Sequence, residues 1–177
     1  NEVAVVVSAM AGETDRLVAL VSAVDPMADE AEYDVVVSSG EQVSVGLLAA
    51  ALHKQGCRAR SWLGWQLPVR SDGRHAGARI TGIDVDAIQT AMAAGEIAVV
   101  PGFQAVSPEG RVATLGRGGS DTSGVALAVA LGADRCDIYT DVEGVFTCDP
   151  RIVARARKLD RITYEEMLEM ASLGAKV

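Results

Sequence analysis

The chain has 177 residues, of which 49% are hydrophobic and only 4% aromatic, and its formal net charge is −8. This length fits one domain with a core of aliphatic side chains. The acidic balance argues against nucleic acid, which is bound through clustered Lys and Arg. We find no targeting segment and no apolar run near the roughly 18 residues that span a bilayer. Three cysteines without a CxxC spacing fit a reducing compartment, so a cytoplasmic protein without membrane contact is expected.

Strand and helix patterns alternate along the chain. Strands are predicted at Val3–Val7, Arg58–Leu63, Ala78–Ile83, Ile97–Val100, Arg111–Thr114 and Cys136–Thr140. Helices are predicted at Thr14–Val24, Gln42–Gln55, Asp84–Ala94, Ser120–Leu131 and Tyr164–Leu173. Residues 34–37 are ambiguous because their β-branched side chains favour a strand, and residues 66–77 form the longest irregular stretch, predicted to be mobile. The alternation predicts an α/β fold with a largely parallel sheet covered on both faces.

Residues 115–124 combine glycines with one arginine just before an apolar helical run. They read LGRGGSDTSG. Glycines let backbone N–H groups come close to an anion, and Arg117 offers a planar fork for a carboxylate or phosphate. Ser120 or Asp121 is the expected N-cap, which would direct the positive end of the helix at the same ligand. The glycines alone would fit a simple turn, but Arg117 followed closely by Ser120 and Asp121 favours an anion site.

Residues 140–151 form a second segment rich in turn-forming and polar residues. They read TDVEGVFTCDPR and follow the predicted strand Cys136–Thr140. Ligands of open α/β sheets bind beyond the carboxyl ends of the strands, where this loop would lie. Thr140, Asp141 and Arg151 suit a nucleotide. Taken without residues 115–124, the segment would be interpreted as a surface loop.

Together the two segments resemble the amino-acid kinase superfamily, and specifically the aspartokinase catalytic domain, whose motifs read GRGGSD and TDVDGVYTxDPR. Three further segments agree with this family in order: VVVSAM at 5–10 with Thr14, SSGEQ at 38–42, and YEEMLEMA through GAKV at 164–177. The resemblance covers essentially the whole chain as a partial catalytic domain, residues 1–177. It implies a three-layer α/β/α sandwich and places residues 34–37 in a helix.

The chain departs from the aspartokinase pattern at both ends. Members of the family carry an N-terminal strand and loop reading KFGGTSV, whose lysine contacts the transferring phosphoryl group, and C-terminal ACT regulatory domains. Neither segment is present in these 177 residues, so the isolated chain is expected to be inactive and free of feedback inhibition. Within the chain, Phe146 stands where tyrosine is common.

The resemblance also implies a role for individual residues. The expected aspartate-binding residues are Ser8, Thr14, Glu41, Arg117, Gly118, Gly119 and Ser120, with Asp121 in an orienting role. The expected nucleotide-binding residues are Thr140, Asp141, Phe146, Arg151 and Lys176, with ATP and Mg²⁺ as the phosphoryl donor. Glu41 could instead favour only the helix dipole, and Ser8 could be only a turn or cap residue.

The implied reaction is phosphorylation of the L-aspartate β-carboxylate to 4-phospho-L-aspartate, the first step of lysine, threonine and methionine biosynthesis, by a homo-oligomer. Two alternatives stay open. The chain could belong to another amino-acid kinase, acting on glutamate, acetylglutamate, carbamate or UMP. It could also be a non-catalytic module that binds aspartate and a nucleotide.

Overall fold

The computed structural model describes residues 2–116, 118–140, 144–148, 152–163 and 165–167, which divide into two compact units, Asn1–Cys136 and Asp137–Val177. In the first unit the strands are β1 (Ala4–Val7), β2 (Ala59–Ser61), β3 (Val69–Ser71), β4 (Ile80–Ile83), β5 (Ile97–Pro101), β6 (Gln104–Val106) and β7 (Val112–Thr114). The helices are α1 (Glu13–Val24), α2 (Glu30–Val37), α3 (Ser39–Lys54), α4 (Asp86–Ala93) and α5 (Gly119–Leu131).

A parallel sheet lies at the centre of the first unit, in the order β1-β5-β2. Side chains alternate across a strand, and β5 is apolar on both faces. Ala98 and Val100 pack with α4 and α5, whereas Val99 packs with α3 on the opposite face. Helices therefore cover both faces of the sheet. The predicted α/β/α arrangement with a parallel sheet is confirmed.

A second, mixed sheet lies beside the first in the order β4-β3-β6-β7, with antiparallel outer pairs. Its strands β3 and β6 were not predicted, because each lies between turn-forming glycine and proline residues and reads as irregular structure. The interpretation of residues 66–77 as wholly irregular is wrong at β3. The turn that follows β3 is also anchored, since Asp72 Oδ1 accepts hydrogen bonds from the backbone N–H groups of Arg74 and Arg79 at 3.3 and 3.1 Å.

The ambiguous residues 34–37 are helical, as the family resemblance implied. Asp29 caps α2 by accepting from the N–H of Ala31 at 3.0 Å. Asp34 is fully buried and accepts from the Thr114 hydroxyl, from His75 Nδ1 at 2.7 Å and from the Ala76 N–H at 3.2 Å. These bonds connect α2 with β7 and with the turn that follows β3. The hydrogen bonds that Asp34 makes from its position in a helix thus outweigh the local β-propensity of the valines that follow it.

Helices α2 and α3 together span Glu30–Lys54, which by length and a mean hydropathy of 1.5 would be sufficient to cross a membrane. The expectation from the sequence that no apolar run approaches the length of a membrane span is therefore wrong for this stretch, by length and composition. Its apolar inner face packs within the first unit, where Val45 and Ala49 contact β2 and β5. The same stretch buries the carboxylates of Asp34 and Glu41. These contacts are those of a core helix of the α/β unit.

In the second unit, the predicted strand at Cys136–Thr140 is not formed, since residues 137–140 have no regular secondary structure. β-propensity is a weak guide here, because strand formation depends on tertiary packing. Residues 165–167, within the predicted helix Tyr164–Leu173, are helical. Thr163 Oγ1 accepts from the N–H of Glu166 and Glu166 Oε2 accepts from the N–H of Thr163, at 3.2 and 2.9 Å, which is a capping box. The remainder of Tyr164–Leu173 beyond residue 167 lies outside the described residues.

Candidate amino-acid and nucleotide site

The glycine-rich segment leads directly into α5, as predicted, but the helix begins one residue earlier. Gly118 is the N-cap, with a left-handed φ of 76°, and it makes no side-chain capping bond. Ser120 and Asp121 therefore lie in the first turn, and the prediction that one of them is the N-cap is wrong. The Thr122 and Ser123 hydroxyls bond back to the carbonyls of Gly118 and Gly119, at 3.1 and 2.8 Å.

The glycines of this loop fall into two groups. A Cβ on Gly119 would lie 2.8 Å from Phe103 Cδ2 and 2.9 Å from Leu115 Cβ, so this glycine permits close packing of α5. Among the described residues outside their chain neighbours, no atom lies within 4 Å of a Cβ position on Gly116 or Gly118. A cleft of about 370 Å³ adjoins Gly116 and Gly119 and is lined on its other side by Arg79. The open glycines are therefore the ones free to meet a ligand.

Glu41 is a buried carboxylate in the first turn of α3, with 3% of its surface exposed. Its Oε1 accepts from the backbone N–H of Ala9 at 3.1 Å, while the buried Oε2 has no hydrogen-bond partner among the described residues. Loss of hydration raises the pKa of Glu41, and the Ala9 bond opposes this only in part. A carboxylate serving only the helix dipole would stay in water. This geometry leaves one oxygen available for a cationic partner.

Several of the predicted substrate residues converge where β1 and β5 end. The N–H of Gly102, just after β5, donates to the carbonyl of Val7 at 2.9 Å, beside Ser8. A Cβ on Gly102 would lie 2.8 Å from Ser120, so the turn after β5 touches the first turn of α5. Glu41 reaches the same place through Ala9.

Thr14 lies one residue inside α1. The α1 side chains of Glu13 and Leu17 lie 3.5 and 3.3 Å from a Cβ position on Gly40, the residue that precedes Glu41. Ser8, Glu41, Gly119 and Ser120 thereby lie around one end of the parallel sheet, and α1, which carries Thr14, packs beside Gly40. Arg117 lies outside the described residues.

The second unit contains the residues predicted to bind a nucleotide. Phe146 forms a short antiparallel bridge with Lys158, and Leu159 donates its N–H to the carbonyl of Val145 at 2.8 Å. Gly144, at a φ of 132°, lies against Lys158, whose Cε is 2.8 Å from a Cβ position on that glycine. Thr140 is exposed. Asp141, Arg151 and Lys176 lie outside the described residues.

Three residues after β5 were missed in the sequence: Gly102 and Phe103, which form the turn, and Gln104, the first residue of β6. Phe103 has a positive φ of 65° and its N–H donates to Ser123 Oγ at 3.1 Å. A signal was available, because a glycine followed by an aromatic residue directly after an apolar strand indicates a tight turn at the carboxyl end of a sheet.

The match to known proteins covers the whole chain, and residues 1–177 fit the model of the amino acid kinase family. The chain belongs to the amino acid kinase family. It is 56% identical over 177 residues to an aspartate kinase of Stutzerimonas stutzeri and 51% identical to aspartokinase 2 of Bacillus subtilis. Each alignment covers 100% of this chain but only 43% of the relative. The chain therefore spans less than half the length of these curated relatives.

Solved structures of aspartate kinases are also similar to this chain. The aspartate kinase of Synechocystis superposes with a TM-score of 0.81 at 46% identity, covering 100% of this chain and 29% of the other. Aspartokinase III of E. coli, solved with aspartate and ADP, superposes with a TM-score of 0.77 at 33% identity, covering 91% of this chain and 37% of the other. The two curated relatives and the two solved structures named here are all aspartate kinases.

Proposed function

We propose that this chain is part of the catalytic domain of an aspartate kinase, which transfers the γ-phosphoryl group of ATP to the β-carboxylate of L-aspartate. The observation that carries this proposal is Glu41, a buried carboxylate with one oxygen unpaired among the described residues, beside the end of β1. Such a group is costly unless a cation arrives to pair with it. The similarity to aspartate kinases along all 177 residues supports the same substrate.

Aspartate is a zwitterion that offers two handles away from its reacting group. Glu41 binds the α-ammonium, and Arg117 binds the α-carboxylate through a two-bond fork, assisted by the backbone of Gly118 and Gly119. Ser8, Thr14 and Ser120 line the path to the β-carboxylate. Asp121, exposed in the first turn of α5, orients a neighbouring cationic group.

The reaction needs no general base, because a carboxylate is ionised at neutral pH. One oxygen of the β-carboxylate forms a bond to the γ-phosphorus, the bond from that phosphorus to the bridging oxygen breaks, and ADP leaves with the electron pair. Catalysis therefore consists of positioning and charge neutralisation. The product is 4-phospho-L-aspartate, which would open the synthesis of lysine, threonine and methionine in the cytoplasm.

The phosphoryl donor is MgATP, held by Thr140, Asp141, Phe146, Arg151 and Lys176. Among the residues that the structure describes, no group of three or more His, Cys, Asp and Glu side chains could hold a metal ion. Mg²⁺ would accompany the phosphates of the nucleotide. We further propose a homo-oligomer for the complete protein.

The test is an ADP-release assay on the full-length protein with a panel of acceptors: aspartate, glutamate, acetylglutamate, carbamate and UMP. Aspartate should be used at least about 100-fold better than glutamate, since one methylene at a polar site misplaces the reacting carboxylate. Arg117→Ala should raise the KM for aspartate much more than the KM for ATP. Preference for another acceptor would contradict the proposal, and tight binding of aspartate without turnover would favour a binding module.

A further inference from the structure

Gln104 is a buried amide that no motif in the sequence accounts for. It is 1% exposed at the start of β6, where it pairs with Thr114 of β7. Its Nε2 donates a hydrogen bond to the carbonyl of Ser38, at the junction of α2 and α3. Its Oε1 is buried without a hydrogen-bond partner among the described residues. A buried amide satisfied on one side only is less stabilising than an apolar side chain of the same shape, which points to a role beyond packing.

The orientation of this amide follows from its partner. Ser38 presents a carbonyl, which can only accept, so the –NH₂ end of Gln104 must face it. Rotation of the amide by 180° would bring two carbonyl oxygens together. The bond therefore acts as a directional link between β6 and Ser38, the N-cap of α3, three residues before Glu41.

This link closes a ring of contacts around the proposed aspartate site. The turn after β5 is bonded to the end of β1 through Gly102 and Val7, at 2.9 Å. The same turn packs against the first turn of α5 through Gly102 and Ser120. Gln104 then joins this turn to α3, and Glu41 on α3 returns to the end of β1 through the N–H of Ala9, at 3.1 Å.

We infer that Gln104 is a positioning residue for Glu41: it sets the separation between the carboxylate that binds the α-ammonium and the glycine loop that binds the α-carboxylate. The inference rests on the proposed function for the identity of the ligand. A zwitterion binds to the carboxylate and to the glycine loop at once only when their separation matches that of its own two charges. A shift of about 1 Å is enough to lose the binding energy that the second group adds. Gln104 itself does not touch the substrate.

The test is Gln104→Met in the full-length protein, because Met preserves the length and volume of Gln and removes the amide. The KM for aspartate should rise about 3- to 10-fold, the range expected for one hydrogen bond. Because the link acts on ground state and transition state alike, kcat and the KM for MgATP should stay within about twofold. Gln89→Met is the matched control, since Gln89 is exposed on α4 and the chemical change is the same. Gln104→Asn, one methylene shorter, should reproduce the effect if the Met variant folds poorly.

A double-mutant cycle separates positioning from general loosening. In a Glu41→Gln background, Gln104→Met should change aspartate kcat/KM by less than about twofold, because the group that it positions is already neutral. Full additivity of the two changes would overturn the inference. A lower unfolding temperature with an unchanged KM for aspartate would overturn it as well, since that is the result expected of a purely structural amide.

Hydrogen exchange of the Ala9 amide supplies a readout that needs no substrate. In Gln104→Met this amide should exchange at least about threefold faster, because its acceptor on Glu41 is less well held. Unchanged exchange would contradict the inference whatever the protein phosphorylates. If the wild-type protein does not use aspartate and the exchange still changes, the proposed function fails while the positioning of Glu41 by Gln104 stands.

Discussion

Glu41 combines two properties that rarely coincide in a residue with a structural role: it is buried, and one of its oxygens has no hydrogen-bond partner in the part of the chain that the structure describes. At the start of a helix a carboxylate interacts favourably with the dipole, by about 0.3–1 kcal/mol at an exposed position. Burial at 3% exposure removes water from the charge and costs more than this interaction supplies. The residue is thus destabilising in the free protein, and a bound ammonium group would offset the cost.

Glu41→Gln is therefore expected to stabilise the ligand-free protein at neutral pH. The folded-state pKa of Glu41 is raised by burial, so the folded state favours the protonated carboxyl. Wild-type stability consequently falls as the pH rises from the unfolded pKa through the raised folded pKa, whereas the neutral Gln has no such dependence. The unfolding temperature of the variant should exceed that of the wild type at pH 7 to 8. This difference should vanish below about pH 4, where an ordinary glutamate is mostly protonated.

Two controls apply to this prediction. Glu109 has a lowered pKa, chiefly because the Ser107 side chain hydrogen-bonds to it, so Glu109→Gln should show the opposite sign with a small amplitude at this exposed position. Saturating aspartate should reduce or reverse the advantage of Glu41→Gln, since the ligand pairs with the wild-type charge. A variant that is less stable than the wild type at neutral pH would show that Glu41 is satisfied in the ligand-free protein.

At the scale of elements, α2 illustrates how a tertiary contact selects one of two local conformations. The triplet Val35–Val37 has high β-propensity, yet a helix places Asp34, Ser38 and Glu41 on one face at spacings of four and three residues. Asp34 and Ser38 bond to β7 and β6 through Thr114 and Gln104. The helix is thus fixed by buried polar contacts that a strand could not make together.

Asp34→Asn should destabilise the protein by roughly 2–4 kcal/mol, because the charged acceptor of the Thr114, His75 and Ala76 hydrogen bonds is lost in a buried site. The measurement is urea unfolding of the full-length protein, followed by a signal from the first unit. Asp15→Asn, exposed in the first turn of α1, is the matched control and should change stability by about 0.5 kcal/mol or less. Equal effects of the two substitutions would show that the Asp34 contacts contribute little.

At the scale of the whole molecule, the residues assigned to the two substrates lie in different compact units. Those assigned to aspartate lie in Asn1–Cys136, and those assigned to the nucleotide lie in Asp137–Val177. The division predicts that each ligand orders its own part of the chain when it is bound alone.

Hydrogen exchange of the full-length protein should reveal this division. Aspartate should slow exchange at residues 8–10 and 38–41, whereas MgADP should slow it at 144–148, because bound ligands suppress local opening of the segments that they contact. D-Aspartate, which reverses the arrangement of the two handles, should protect residues 38–41 much less. Protection by MgADP confined to residues 66–77 would place the nucleotide at another site.

Much of the α/β fold was predictable because the spacing of apolar residues along a segment indicates which of its faces is buried. Helix α1 begins at Glu13 against a predicted Thr14, and β5 covers Ile97–Pro101 against a predicted Ile97–Val100. The short strands β3 and β6 were not predicted, since each lies between turn-forming glycine and proline residues. The strand predicted at Cys136–Thr140 is not formed, because composition indicates propensity, whereas strand formation depends on tertiary packing.

The sequence by itself determined the family, the order of elements and the residue types of the candidate site, because local motifs and the periodicity of apolar residues indicate all three. Only the tertiary structure decided which glycines face open space and which permit close packing, as Gly118 and Gly119 show. It also decided that Glu41 is buried with one oxygen unpaired among the described residues, and that Gln104 connects its helix to β6. The properties of Glu41 and Gln104 depend on contacts between residues more than 30 positions apart, Glu41 with Ala9 and Gln104 with Ser38, which a local sequence pattern does not indicate.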